Sequence, residues 1–242
     1  MNNQMESQLC KDPDILLKEA TRIGSIEMCK LAVQSGATDF NNMLKYAAIN
    51  GDENLCILAK EWGADDFDDM LMSAAKGGYE NLCILAKEWG DMNFNYMLAS
   101  ASMESRKLKN MVRGVSKVKH ENICSIEKEW RATKFNNMLR VAAEGGHENL
   151  CILAKEWGAN DFNSMLCGAT INGHENLCII ARKWGATNFN SMLYEAAKVG
   201  NKNLCILAKK YGATDFNYML KCAIQSGHEN ICKLAREWGA KQ

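Results

Sequence analysis

Apolar residues recur along this chain with the spacing of short amphipathic helices. Phe40, Met43, Leu44, Ala47 and Ala48 fall at i, i+3, i+4, i+7 and i+8, which puts them on one helical face. Leu55, Leu58, Ala59 and Trp62 form a second stripe, and Gly51 and Gly63 follow the two stripes as stop signals. The pattern predicts helix, turn, helix. It then returns: Phe67, Phe94, Phe135, Phe162, Phe189 and Phe216 each reopen the phrase F-N-x-M-L or a close relative, followed by Ala-Ala and a Gly. A second phrase follows the first, written in full from His147 to Gly158 as H-E-N-L-C-I-L-A-K-E-W-G. The period is 27 residues, except between Phe94 and Phe135, where it is 41.

Helices of about ten residues are marginal in isolation. They persist only if each pair buries its apolar stripe against the neighbouring pairs, so the repeat predicts an all-α solenoid of stacked helix-turn-helix repeats. Asp39 or Asn41 suits the start of a first helix, and Asp12-Pro13 suits the N-cap and first turn of the first repeat. The array is expected to fill the chain, ending at Gly239.

The long interval has its own logic. Asn110-Met111-Val112-Arg113 matches Asn42-Met43-Leu44-Lys45, and His120-Glu121-Asn122-Ile123-Cys124 follows in register. Residues 108–131 therefore read as a complete repeat and 94–105 as a first helix without a second. The expected organisation is residues 1–105 with three helix pairs and an orphan helix, and residues 106–242 with five pairs, in one solenoid with an irregular junction near 94–120. In the middle repeat Glu127 replaces Ala, Ser125 replaces Ile, and Arg131 replaces the terminal Gly.

Composition narrows the function classes. Lys plus Arg and Asp plus Glu both number 29, giving no net charge, which argues against a general polyanion binder. There is no apolar run of membrane-spanning length and no secretory h-region at the N-terminus. A reducing cytoplasmic or nuclear setting fits the cysteine usage. Eleven cysteines are present, but Cys29, Cys56, Cys83, Cys124, Cys151, Cys178, Cys205 and Cys232 share one column. Equivalent points on stacked helices lie about 8–10 Å apart, beyond the roughly 7 Å a disulfide spans and too far to share one zinc. They read as small buried hydrophobes. His120, His147, His174 and His228 share one turn position with Asp52, Tyr79 and Asn201, which reads as turn hydrogen bonding rather than metal ligation. The column Trp62, Trp89, Trp130, Trp157, Trp184 and Trp238 reads as inter-repeat packing. Ile57, Ile84, Ile152, Ile179 and Ile206 point away from the stripe, either partly covered by lysine stems or as a self-association line. No catalytic triad, phosphate loop or metal motif stands out, so neither an enzyme nor a cofactor is expected.

Recognition is expected where repeats differ. Second helices are nearly uniform, whereas outward positions of the first helices vary: Lys45, Tyr46, Met72, Tyr96, Arg140, Val141, Tyr194, Glu195, Tyr218 and Lys221. Tyr and Arg are strong interface anchors. A basic segment in the junction, Arg106, Lys107, Lys109, Arg113, Lys117 and Lys119, offers an alternative surface for nucleic acid or an acidic ligand.

The phrase M-L-x-x-A-A-x-x-G-H-x-x-x-x-x-L-x-x-x-G-A resembles the ankyrin repeat over essentially the whole chain. The resemblance implies an ankyrin-like α-solenoid. F-N-x-M-L replaces the family's Thr-Pro-Leu-His start, and the short unit leaves only residues such as Ala64-Asp65-Asp66 between repeats, so long β-hairpins are not expected. The wording of Lys155–Asn163, K-E-W-G-A-N-D-F-N, is similar to that of ankyrin-type proteins encoded in multiple copies by large DNA viruses of amoebae. That likeness implies binding of host or viral proteins, in the host cytoplasm. The combined expectation is a non-catalytic protein-interaction scaffold, monomeric or weakly self-associating, without membrane contact. The alternatives are the basic-segment binder and a self-assembling structural component.

Overall fold

The computed structural model describes residues 12–91 and 120–241, with the side chains of 120–131 excepted. It divides into two compact halves, Met1–Glu127 and Lys128–Gln242. All regular structure among the described residues is helical.

In the N-terminal half, α1 (Pro13–Arg22) pairs with α2 (Ile26–Gln34), α3 (Phe40–Asn50) with α4 (Glu53–Glu61), and α5 (Phe67–Gly77) is followed by α6, described over 80–91. The second half holds α8 (Glu148–Glu156), α9 (Phe162–Ile171), α10 (Glu175–Trp184), α11 (Phe189–Lys198), α12 (Lys202–Lys210), α13 (Phe216–Gln225) and α14 (Glu229–Glu237). Before α8 runs α7 (His120–Gly145). The first helices α1, α3, α9, α11 and α13 each pack on their own second helix, and α1 packs on α3, α3 on α5, α9 on α11 and α11 on α13.

The first helices α1, α3, α5, α9, α11 and α13 start at a side-chain cap. Asp39, Asp66, Asp161 and Asp215 accept a hydrogen bond from the amide three residues on, at 3.0 Å in each case, a contribution of about 1 kcal/mol apiece. Asp12 accepts from the Asp14 amide, with Pro13 opening α1. Gly51 closes α3 at φ 76°, a conformation any side chain would strain.

Between the caps lies the core. Met43, Leu44, Ala47, Ala48, Leu55, Cys56 and Ala59 are fully buried, and the pattern repeats at Met192, Leu193, Ala196, Ala197, Leu204, Cys205 and Ala208. Each buried Leu or Met stabilises by about 1.5–3 kcal/mol, which short helices cannot obtain alone.

Two expectations are corrected here. Asn41 does not cap α3; Asp39 does. The helix expected to end at Arg131 and the helix expected to begin at Phe135 are one, the 26-residue α7. Both signals needed for a break are missing. Arg131 stands where other repeats have Gly, so the left-handed turn is unfavourable. Lys134 stands where they have a capping Asp or Asn. The orphan helix, the first helix of the repeat expected from residue 108, and nearly all of the junction near 94–120 lie outside the described residues.

Candidate partner-binding face

The varied positions sit one step around each first helix from its buried stripe. Because successive first helices within each half pack on each other, these positions form a row in each half. In the N-terminal half, Lys45 Nζ pairs with Asp69 of the next first helix at 3.1 Å, and that carboxylate holds the lysine above its ordinary range. The Lys18 ammonium sits over the Tyr46 ring at 5.1 Å. Met72 is half-buried.

The C-terminal half has a denser row of its own. Tyr194 donates its hydroxyl to Asp215 Oδ2 at 2.6 Å, and its ring meets Tyr218 edge-on at 4.4 Å. Lys221 stands 5.8 Å from the Tyr218 ring centroid. Glu195 accepts from Lys198 at 2.7 Å, and Arg140 pairs with Glu144. Burial, aided by Asp215, pushes the Tyr194 phenol up to about 12. The same hydroxyl, with the Tyr218 amide, lowers the Asp215 carboxyl. Cys167 lies half-buried in this row, and burial raises its thiol. Tyr218 is 44% exposed, with the exposed Lys221 next to its ring, and Arg140 is exposed on α7.

Several expected site residues change status. Val141 is buried, not outward, because it follows Arg140 by one helical step and turns into the core beside Ala142. Tyr194 is half-buried and its hydroxyl is committed to Asp215, so it positions Tyr218 more than it offers a contact of its own. Tyr96, Arg106, Lys107, Lys109, Arg113, Lys117 and Lys119 lie outside the described residues.

The columns behave as packing devices. Cys56, Cys83, Cys151 and Cys205 are buried free thiols whose burial raises each to about 12. His174 Nε2 donates to the Glu144 carbonyl at 3.1 Å, and His228 Nε2 to that of Lys198 at 2.9 Å. These histidines tie neighbouring repeats, whereas Asp52 and Asn201 at the same position cap their own helices. Each described Trp of the column packs against the Phe of its own repeat, as Phe162 and Trp184 do at 5.6 Å. Ile57, Ile84, Ile152 and Ile206 are exposed, and Ile179 is half-buried.

Two sets of structural residues escaped the sequence reading. Asn41, Asn136, Asn163 and Asn190, the second letter of F-N, accept from the two backbone amides that precede the next first helix. Asp14 does the same for Thr38 and Asp39. This clamp fastens the short inter-repeat loop where a longer repeat would have room for a hairpin. The other set is the lysine two places before the repeat's ring, as in K-E-W: Lys60, Lys155 and Lys209 sit over the Trp of the next repeat at 4.3, 4.4 and 4.4 Å. The near-invariance of F-N and K-E-W was the available signal.

No described helix is long and apolar enough to cross a membrane. Comparison with family models and with curated proteins finds no match to this chain.

Proposed function

We propose that this chain is a non-catalytic scaffold that holds a protein partner on the face formed by its first helices. One observation carries the reading. Tyr218 is exposed yet fixed, braced edge-on by Tyr194 and flanked by Lys221. An aromatic ring that is ordered before binding loses little entropy when a partner covers it, and Tyr and Arg dominate interface energetics. The likeness of the repeat to ankyrin units, and the contrast between varied first helices and uniform second helices, support the same reading. A viral role in the host cytoplasm follows from the likeness in wording and belongs to this proposal.

The test is affinity capture with the whole chain, comparing wild type with Tyr218→Ala, Arg140→Ala and the double variant. Loss of a specific captured protein in the double variant, with Tyr218→Phe retaining it, supports the reading. A captured set that is the same for all variants contradicts it.

A further inference from the structure

The second helices are nearly uniform, so their few departures stand out. On each, the first residue and those four and eight places on form one outward ridge about 12 Å long. On α4 the ridge is Glu53, Ile57 and Glu61, and on α6 it is Glu80, Ile84 and Glu88, all exposed. α8 repeats the pattern with Glu148, Ile152 and Glu156. On α12 both ends are reversed in sign, giving Lys202, Ile206 and Lys210, again all exposed. α10 is intermediate, with Glu175 at one end and Lys183 at the other. The core beneath does not follow the sign: Leu55, Cys56 and Ala59 on α4 are fully buried, and so are Leu204, Cys205 and Ala208 on α12. Folding therefore does not require the reversal.

The sorting of charge extends beyond one helix. Residues 12–91 carry 15 Asp and Glu against 7 Lys and Arg, whereas residues 132–241 carry 13 Lys and Arg against 9 Asp and Glu. The neutral total conceals an acidic N-terminal half and a basic C-terminal half. None of the six charges on the ridges of α4, α6 and α12 makes an ion pair among the described residues. Ile206, between the two lysines, is 46% exposed, the most open of the isoleucine line. The apolar centre is confined to the inner second helices, because Lys30 on α2 and Lys233 on α14 stand in its place.

We infer that α12 of one copy docks on the α4–α6 face of a second copy, giving a weak, salt-sensitive self-association. Complementarity identifies the occupant. Either receiving ridge offers a carboxylate to each lysine and an isoleucine to Ile206 at the same helical spacing. The match holds whether the paired helices run parallel or antiparallel, because each ridge reads the same in both directions. Like ridges repel: α4 on α4, or α12 on α12, sets two charges of one sign against each other at both ends. Exposed ion pairs contribute little each, and a contact of this extent belongs with small transient interfaces. Affinity is therefore low and falls with ionic strength. The contact uses the second helices, so it stands or falls separately from the partner face on the first helices.

Sedimentation equilibrium of the whole chain, in low salt and reductant, reads the association. Wild type is expected to self-associate as its concentration rises, and about 1 M salt to suppress this. Lys202→Glu with Lys210→Glu should weaken the association about tenfold or more, and so should the fourfold variant Glu53→Lys, Glu61→Lys, Glu80→Lys and Glu88→Lys. An equimolar mixture of the two variants should associate again, because an acidic α12 then meets a lysine-bearing α4–α6 face. Unchanged far-UV circular dichroism verifies that each variant is folded. A wild type that is still monomeric at about 1 mM overturns the inference and leaves the α12 ridge to a foreign acidic partner. Association that ignores either charge reversal, or that the mixture does not restore, overturns it as well.

Discussion

Asn163 Oδ1 accepts from the backbone amides of both Thr187, at 2.8 Å, and Asn188, at 3.0 Å, one repeat further along the chain. Asn188 in turn caps α11. One side chain thus fixes the loop that aims the next first helix, and the varied row of first-helix residues inherits its alignment from it. Asn163→Ala is expected to lower stability by about 1 kcal/mol, the scale of one net hydrogen bond at a partly solvated site. Asn163→Asp keeps the acceptor, as Asp14 does naturally, and should cost less. Urea unfolding of the two variants checks the order; equal losses would remove the clamp from the explanation.

The unbroken α7 makes a second expectation. With Arg131 and Lys134 in place of the stop and start residues, the amides of residues 131–134 are satisfied within a helix and should exchange slowly with solvent. Arg131→Gly with Lys134→Asp restores both signals. That double variant should expose those amides to exchange, since Gly alone weakens a helix interior by about 1 kcal/mol. Rapid exchange at 131–134 in the wild type would show that the break predicted from the repeat was right after all.

The cysteine column sets an alkaline limit. Burial raises Cys56, Cys83, Cys151 and Cys205 from 9.0 to about 12. Between these values the folded chain keeps protons that the unfolded chain releases. Their stabilising share is therefore complete below pH 9 and is lost as pH rises toward 12. At the steepest, each thiol removes about 1.4 kcal/mol per pH unit. Urea midpoints in reductant should fall from about pH 7.5 to about pH 10.5, and Cys151→Ala with Cys205→Ala should flatten the fall. A midpoint that is independent of pH would contradict the burial of these thiols.

Much of this was legible from the repeat. The stripe Phe40, Met43, Leu44, Ala47, Ala48 gave helix α3 and its core, and Gly51 gave its end, because local propensity and tertiary burial agree there. The column logic also placed Cys151 and Trp184 correctly as packing residues. The F-N clamp was not legible, because a side chain that reaches backbone 24 residues away leaves no local periodicity, only an unexplained constant letter. Val141 was misread because outward and inward positions on a helix differ by a single step of about 100°, and the neighbouring Arg140 and Glu144 made the segment look solvated. The fusion of α7 was half legible: Arg131 was seen as a lost glycine, but Lys134 was not weighed as a lost cap.

The binding face itself is tested most directly by hydroxyl-radical footprinting of the whole chain with and without a captured protein partner. Tyr218 should lose reactivity in the complex, while Ile152 and Ile206 on the second helices stay as reactive as in the free chain. Protection of the two isoleucines with Tyr218 unchanged would place the partner on the opposite helices and contradict the assignment.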